Sequence, residues 1–253
     1  MTTAISPGKT RSPLSERLDL IISPIFAAGL AILGFAVWTY SDLDKITIAI
    51  LSPDKIQRQI GETLILGLTS SILVVLIAVP VGILVTRKGY PRLKSALVNT
   101  LGLGQALPAY GLIVVFFSFM GSGIVTVILA LATFSLLPVL RNTIVGLEQV
   151  DKSVIDAARG MGLTARQILL KIELPLSVEV ILGGIRTAVV INIGFSALAF
   201  LVGGGGLGET INSGLKLDRG PAILIGAVMV AIMALLFDFL SALAQKYLKP
   251  KGL

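Results

Sequence analysis

The chain has 253 residues, of which 55% are hydrophobic, and its mean hydropathy is +0.93. A soluble domain is usually about 45 to 50% apolar even when glycine is counted, so this composition predicts a membrane protein. Cysteine and histidine are both absent, which excludes disulfides, zinc sites built from these residues and histidine-based catalysis. The chain carries 21 lysine and arginine residues against 14 aspartate and glutamate residues, an excess that nucleic-acid binding or membrane topology can explain.

Residues 1–18 are rich in serine, threonine, proline and glycine and carry 3 basic residues, which predicts a flexible cytoplasmic tail. Residues 19–253 are expected to form a single transmembrane domain. Its apolar stretches are close to the roughly 20 residues that a helix needs to cross a bilayer. Ser52 before Pro53 predicts a short interfacial helix ahead of the second stretch. The six predicted spans are 20–40, 64–86, 95–120, 124–140, 177–202 and 221–244.

Basic residues cluster at alternate ends of these spans. With the N-terminus in the cytoplasm, the inner segments carry 15 lysine and arginine residues, the outer segments carry 5, and Arg186 lies within span five. The positive-inside rule therefore predicts an all-α, polytopic helical bundle in the cytoplasmic (inner) membrane, with both termini in the cytoplasm. The basic excess is thus assigned to topology, and no nucleic-acid partner is expected.

A polar segment at 153–175, with the sequence SVIDAARGMGLTARQILLKIELP, lies between two long apolar stretches. Ser153 and Asp156 have the spacing of a capping box, and Thr164 and Gln167 repeat it. In a capping box, side chains satisfy the free N–H groups of the first helical turn. Two short helices are therefore expected to begin in this segment.

Gly162 is expected to separate the two helices, because glycine adopts the left-handed conformation at a helix end without a steric penalty from Cβ. The predicted helices are 154–161 and 165–173, and Pro175 is expected to end the second one. Helices of about eight or nine residues are unstable alone in water. Both are therefore expected to dock on another surface.

Segment 153–175 resembles the cytoplasmic signature loop of ABC-importer permease subunits, written Glu-Ala-Ala, three residues, Gly, nine residues, Ile-x-Leu-Pro. We refer to it as the signature loop. The one departure is Asp156 in place of glutamate, which keeps the negative charge on a shorter side chain. The resemblance implies the type I ABC importer permease fold and a role as coupling helices. The residues to which it assigns coupling to an ATPase are Asp156, Ala157, Ala158, Gly162, Ile172, Leu174 and Pro175.

Three further stretches resemble the osmoprotectant branch of these permeases, which imports glycine betaine, choline and related quaternary ammonium compounds. They are Gln105-Ala106-Leu107-Pro108, Gly184-Ile185-Arg186-Thr187-Ala188 and 203–215. The implied function is a translocation path for such a compound. Permeases for amino acids or methionine share much of the architecture and are the first alternative.

The sequence lacks the phosphate-binding pattern G-x-x-x-x-G-K-[ST], and segment 141–176 is far smaller than a nucleotide-binding domain. The resemblance implies that ATP and magnesium are bound by a separate cytoplasmic ATP-binding subunit, and that this chain is a transporter subunit and not an enzyme. It also implies a second permease subunit, identical or paralogous, and an extracytoplasmic solute-binding protein. The chain itself is expected to contact membrane lipid and to bind no cofactor or metal.

A self-sufficient channel or secondary transporter is the alternative from another class. Such a protein is expected to carry paired carboxylates within its spans or discontinuous helices in repeated halves. The sequence shows neither feature. A separate ATPase therefore remains the expected source of energy.

Charged and polar residues inside the spans are the remaining candidates for function. Arg186 lies at a depth where a charge costs about 3 kcal/mol, so we expect it either to pair with Asp238 of span six or to extend to the interface. Asn192 in span five, and Gln105 and Pro108 in span three, are expected to line the translocation path or to hold the bundle together.

The sequence GGGGLG at 203–208, which we call the glycine segment, contains the pattern G-x-G-x-x-G. This pattern binds a pyrophosphate when it follows a β-strand, whereas here it follows a membrane span on the predicted outer side. We therefore interpret it as a flexible outer turn or gate. The residues concerned are Gly203, Gly204, Gly205, Gly206 and Gly208.

Overall fold

The computed structural model of the chain describes residues 13–87 and 90–248, and describes side chains from residue 21 onward within these ranges. Every regular element in this part of the chain is helical, which confirms the predicted all-α class. The α-helices are α1 (Pro13–Tyr40), α2 (Lys45–Ile50), α3 (Pro53–Val85), α4 (Pro91–Ala106), α5 (Ala109–Met120), α6 (Ile124–Glu148), α7 (Lys152–Gly160), α8 (Ala165–Ile168), α9 (Leu174–Phe195), α10 (Gly208–Lys216) and α11 (Gly220–Leu248). A π-helix (Leu169–Glu173) joins α8 to α9, and a 3₁₀-helix (Ser196–Val202) follows α9.

Among the described residues, five stretches are helical, long and apolar enough to cross a membrane. They are Ile21–Tyr40 of α1, α3, α6, the stretch Ala165–Val202 that contains α9, and α11. The bent pair α4 and α5 adds a sixth if it is counted as one span. Only with the bent pair counted as one span does the number agree with the six predicted spans. Helix α1 begins at Pro13, within the segment predicted as a tail.

The predicted helix start at Ser52 and Pro53 is confirmed. The prediction that this helix is short and separate from span two is wrong. α3 is continuous over 33 residues from Pro53 to Val85. Pro53 lies in its first turn, where a missing N–H is not needed, and Pro80 lies within the helix without ending it. At about 1.5 Å per residue, α3 is about 50 Å long, so it extends beyond the hydrocarbon core of about 30 Å.

The predicted third span, 95–120, is not one helix. α4 ends at Ala106, α5 begins at Ala109, and the two are bent by 101°. Leu107 is extended at the break, because a residue that precedes proline is disfavoured in the α conformation. Pro108 then stands at the N-cap of α5, where it provides no N–H for a continuing helix.

α3, α6 and α9 form the centre of the bundle. Small residues let these helices approach closely, as is common in membrane proteins. A methyl group at Gly82 of α3 would lie 2.6 Å from Thr143 Cγ2 of α6, and one at Gly67 would lie 2.3 Å from Ile193 Cδ1 of α9. The apolar side chains buried around this centre include Val74, Ala78, Val139, Leu140, Ile144 and Ala188.

α1 lies at the edge of the bundle and packs against α11. A methyl group at Gly34 of α1 would lie 3.2 Å from Val228 Cγ1 of α11. The other face of α1 exposes large apolar side chains, as expected where a helix contacts lipid tails. Those exposed by more than 60% are Ile25, Phe26, Ile32, Phe35 and Tyr40.

Candidate functional site

The signature loop begins with α7, and the N-cap of this helix is Asp151. The carboxylate of Asp151 accepts a hydrogen bond from the backbone N of Ser153 at 2.8 Å. Hydrogen bonds from Ser153 to this carboxylate hold the pKa of Asp151 below its usual value. The prediction that Ser153 and Asp156 form the first capping box is wrong, because aspartate two residues earlier is itself a strong N-cap residue.

The junction between α7 and α8 agrees with the sequence. Gly162 has a left-handed φ of 82°. Thr164 Oγ1 accepts from the backbone N of Gln167 at 3.3 Å, and Gln167 Oε1 accepts from the backbone N of Thr164 at 2.8 Å. Both halves of the second capping box are therefore present, and this prediction is confirmed.

α7 has one face turned inward and one turned outward. Ala158 is only 1% exposed, whereas Asp156 and Ala157 are exposed. Asp156 forms an ion pair with Arg159 at 3.0 Å, but both side chains are more than half exposed, so the pair contributes little stability. Met161, just after α7, is 72% exposed. The outward face is thus an accessible surface of carboxylate, small and apolar groups.

The second half of the signature loop is not a separate helix. α8 continues into the π-helix Leu169–Glu173 and then into α9. The prediction that Pro175 ends the helix is wrong, since Pro175 lies in the first turn of α9. A π turn moves each backbone acceptor by one residue, which accommodates the ring of proline and its missing N–H. Ile172, Leu174 and Pro175 are half-buried at this junction.

Glu173, the last residue of the π-helix, is buried. Arg87, just after α3, donates from Nη1 to Glu173 Oε2 at 2.7 Å. The same guanidinium donates from Nε to the carbonyl oxygen of Ile83 at 3.2 Å and from Nη2 to Thr86 Oγ1 at 3.0 Å. This ion pair therefore joins the end of α3 to the point where the signature loop enters α9.

Arg186 of α9 and Asp238 of α11 form an ion pair, which is the first of the two alternatives expected for Arg186. Arg186 donates from Nε and Nη2 to the two carboxylate oxygens of Asp238 at 2.6 and 2.7 Å. Ser23 of α1 also donates to this carboxylate, at 2.7 Å. The arginine is thus paired inside the bundle instead of extending to the interface, and the three residues link three helices.

Asn192 and Gln105 connect other helices of the bundle. Asn192 of α9 is fully buried, and its amide lies 3.0 Å from Ser71 Oγ of α3 and 2.9 Å from Ser135 Oγ of α6. Gln105 of α4 donates to the carbonyl oxygen of Phe134 in α6 at 3.1 Å. Both amides therefore lie at contacts between helices.

The glycine segment has a conformation that other residues adopt only with strain. Gly203, Gly205 and Gly206 have φ values of 70°, 77° and 90°, in the left-handed region that favours glycine. A methyl group at Gly208 would lie 1.8 Å from the carbonyl oxygen of Ala197, closer than any real contact. Gly204, Gly205, Gly206 and Gly208 are all buried.

Side chains from the first turns of α3 bind the glycine segment and the start of α10. The sequence predicts a flexible outer turn or gate here, and in the structure these side chains accept hydrogen bonds from its backbone. Buried backbone N–H groups need such partners. The contacts join Glu62 Oε2 to Gly206 N (2.7 Å), Thr63 Oγ1 to Leu207 N (3.0 Å) and Gln59 Oε1 to Thr210 Oγ1 (2.6 Å).

The sequence profile of one protein family matches most of the bundle. The family is described as "Binding-protein-dependent transport system inner membrane component", and the match covers residues 78–251. The chain belongs to this family. It is therefore a multi-pass permease of the inner membrane, and the signature loop lies within the matched region.

Several curated permeases are similar to this one over most of their length. The glycine betaine/carnitine/choline transport system permease protein OpuCB of Bacillus subtilis is 37% identical over 76% of this permease and 88% of its own length. The choline transport system permease protein OpuBB of the same organism is 38% identical over 76% of this permease and 88% of its own length. The osmoprotectant import permease protein OsmY of Salmonella typhimurium is 37% identical over 74% of this permease and 79% of its own length.

A solved structure shows the same fold. In the inward-facing MetNI methionine ABC transporter, one chain aligns with 82% of this permease and with 100% of its own length, at a TM-score of 0.70. The sequence identity is 22%, so the likeness concerns the fold alone. The permease thus has the type I ABC importer architecture that the sequence predicts.

Two groups of polar residues in this permease were missed by the sequence analysis. Gln59, Glu62 and Thr63 occupy positions i, i+3 and i+4 of α3, a spacing that places them on one helical face. This spacing is the signal that could have indicated them. For Arg87 and Glu173 the sequence signal was weaker. It consisted only of an acidic residue inside the signature loop and a basic cluster after span two.

Proposed function

We propose that this permease is the membrane-spanning subunit of an ATP-driven importer for quaternary ammonium osmoprotectants such as glycine betaine, choline or carnitine. The observation that carries the proposal is its identity of 37% to OpuCB across 76% of the chain. Carnitine and choline permeases that are 38 to 40% identical support the same class of solute. The stretches at 105–108, 184–188 and 203–215 add sequence support.

The source of energy is a separate ATP-binding subunit that binds ATP and magnesium and docks on the signature loop. The support is the outward face of α7, where Asp156, Ala157 and Met161 are accessible. Ala158 anchors α7 from its inward face, and Gly162 provides the sharp turn into α8. Ile172, Leu174 and Pro175 connect the docked surface to α9.

A second permease subunit, identical or paralogous, completes the translocation path. The support lies in the bent pair α4 and α5. No residue of α4 (Pro91–Ala106) is fully buried in the described part of the chain. α5 exposes Tyr110, Phe117 and Phe119. Helices of this kind need a covering of protein or lipid, and a second permease supplies part of it.

The signature loop and both termini face the cytoplasm, and the glycine segment faces the outside. The distribution of basic residues, 15 against 5, supports this orientation. A solute-binding protein delivers the compound at the outer face, next to α2 and α10. Selectivity then lies largely in that binding protein.

Transport proceeds by alternating access between the two sides of the membrane. The glycine segment is the outer gate, because its buried backbone closes against α3. Arg186 with Asp238, Asn192 and Gln105 hold together the helices that border the path, and Pro108 sets the bend in span three. The charge of Asp238 is balanced by Arg186, so Asp238 is not part of the paired carboxylates expected in a proton-coupled secondary transporter.

The test is uptake of labelled glycine betaine, choline and carnitine in a strain that lacks the gene for this permease. We expect accumulation of at least one of these compounds to be lost and to return with the wild-type gene. Loss of methionine or amino-acid uptake alone would favour the first alternative. If the complemented strain still took up the compound after its ATP-binding subunit was removed, a secondary transporter would be favoured.

A further inference from the structure

Glu173 is a buried carboxylate at the junction between the signature loop and α9. Its side chain is 10% exposed, and that of its partner Arg87 is 35% exposed. A carboxylate withdrawn from water to this extent is strongly unfavourable unless an opposite charge pairs with it. The position of Glu173 therefore depends on Arg87, which belongs to a different part of the bundle.

Arg87 is itself held in one orientation. Its guanidinium is planar and carries donors in a fixed geometry, and two of them bind the end of α3 at Ile83 and Thr86. A third donor binds Glu173. Because the group cannot rotate without breaking these bonds, the Arg87–Glu173 pair is a stiff connection between α3 and the signature loop.

The connection lies where the helix changes its geometry. The backbone N of Leu174 donates to the carbonyl oxygen of Leu169 across a π turn, and Ser177 Oγ donates to the carbonyl oxygen of Glu173. A π turn holds more residues than an α turn, is rare, and frequently occurs at functional sites. The rotation of the signature loop relative to α9 depends on keeping this turn, and Glu173 is its last residue.

A second ion pair at the same end of the bundle provides a comparison. Lys94 of α4 binds Glu148 of α6 at 2.5 Å, with side chains that are 31% and 48% exposed. The carboxylate of Glu148 is far more exposed than that of Glu173, so this pair is expected to contribute less. This pair has the same charges in a nearby place but does not involve the signature loop.

We propose that Arg87 and Glu173 are positioning residues that make the signature loop, α3 and α9 move as one unit. The inference rests on the proposed function, in which an ATPase displaces the docked loop. At its other end, α3 binds the glycine segment through Glu62 and Thr63. Displacement of the loop therefore reaches the outer gate through α3 as well as through α9.

The first test uses the whole transporter, co-purified with its ATP-binding subunit and reconstituted with its binding protein in proteoliposomes. The variants are Glu173→Gln, Arg87→Gln and the exchanged pair Arg87→Glu/Glu173→Arg, with Glu148→Gln as the control. We expect each single variant to lower glycine betaine accumulated per ATP hydrolysed by about five-fold or more. The exchanged pair should regain part of this ratio, because the two charges pair again but the bonds from residue 87 to Ile83 and Thr86 are lost. Glu148→Gln should keep the wild-type ratio.

The second test does not depend on the solute. Because the natural chain has no cysteine, spin labels can be placed at Gln57→Cys on α3 and Lys171→Cys in the π-helix, both exposed positions. We expect Glu173→Gln to broaden the distance distribution between the labels in the purified complex, and Glu148→Gln to leave it unchanged.

Several results would overturn the proposal. One is that both single variants accumulate as much glycine betaine per ATP hydrolysed as the wild type. Another is that the exchanged pair accumulates no more than the single variants. The third is that Glu173→Gln leaves the distance distribution between the labels unchanged. If a single variant fails to reach the membrane, the transport ratio of the exchanged pair tests the proposal in its place. An exchanged pair that does not transport also counts against the proposal. Wild-type proteoliposomes that accumulate no glycine betaine would instead contradict the proposed solute, and the label distances would then test the Arg87–Glu173 pair.

Discussion

Arg186 and Asp238 lie 52 positions apart in the chain and are joined inside the bundle by hydrogen bonds of 2.6 and 2.7 Å. The pair explains how an arginine is tolerated within a span, because its charge is matched by a carboxylate in bidentate geometry. Ser23 adds a bond from α1 to the same carboxylate. A helix at the edge of the bundle is thus tied to two helices nearer its centre.

Asp238→Asn should destabilise the bundle by about 3 kcal/mol, because it leaves the guanidinium of Arg186 partly buried without its counter-charge. Thermal unfolding of the purified permease in detergent measures the effect. Ser23→Ala is the control, since it removes one neutral donor and should cost about 1 kcal/mol. Wild-type stability of Asp238→Asn would show that the pair contributes nothing to the bundle.

Ala157→Leu and Ala158→Leu should fail in different ways. Ala158 is 1% exposed, so a larger side chain there overpacks the loop and should lower stability by about 1 to 3 kcal/mol. Ala157 is exposed, so leucine there should leave stability unchanged and block docking of the ATP-binding subunit. Co-purification of that subunit, measured beside thermal unfolding, separates the two effects. Full co-purification with Ala157→Leu would exclude this face of α7 as the docking surface.

Gly208→Ala should lower the stability of the bundle, whereas Gly194→Ala should not. A methyl group at Gly208 would lie 1.8 Å from a backbone oxygen, so we expect a loss of about 3 kcal/mol and little uptake. At Gly194 of α9 nothing lies within 4 Å of the added atom. Alanine there should be neutral or stabilise the helix by up to about 1 kcal/mol. Uptake and thermal unfolding check both, and a harmless Gly208→Ala would contradict the tight packing of the glycine segment.

The stability of α7 should depend on the ionisation of Asp151. The pKa of Asp151 is lowered from 3.8 by hydrogen bonds from Ser153, so its contribution to folding is fully present above pH 3.8. This contribution is lost as the pH falls from 3.8 through the lowered pKa. Hydrogen exchange of the α7 amides, corrected for the intrinsic rate, should show protection falling in this window.

Asp151→Asn is the control for the pH experiment, because asparagine keeps an N-cap acceptor but does not titrate. Its α7 amides should stay protected across the same pH range. Asp151→Ala should show weaker protection at every pH. If the protection of the α7 amides in the wild-type protein did not change below pH 3.8, a group other than the Asp151 carboxylate would be the N-cap of α7.

Local patterns were enough to predict part of the signature loop. The capping box of Thr164 and Gln167 and the left-handed Gly162 depend on neighbours within three residues, so their physics is contained in the segment itself. The start of α7 was placed wrongly because Ser153 and Asp151 are both good caps. The contact of Glu173 with Arg87 was missed because the two residues lie 86 positions apart.

By itself, the sequence determined the class of protein, the number of membrane-crossing stretches and the family. Hydrophobic length, alternating basic clusters and a spaced motif are one-dimensional features, and lipid allows a chain with these features few structures other than a helical bundle. Only the tertiary structure decided which polar groups pair. Glu62 and Gly206 are 144 positions apart, and α3 must pack beside the turn after α9 before either group can satisfy the other.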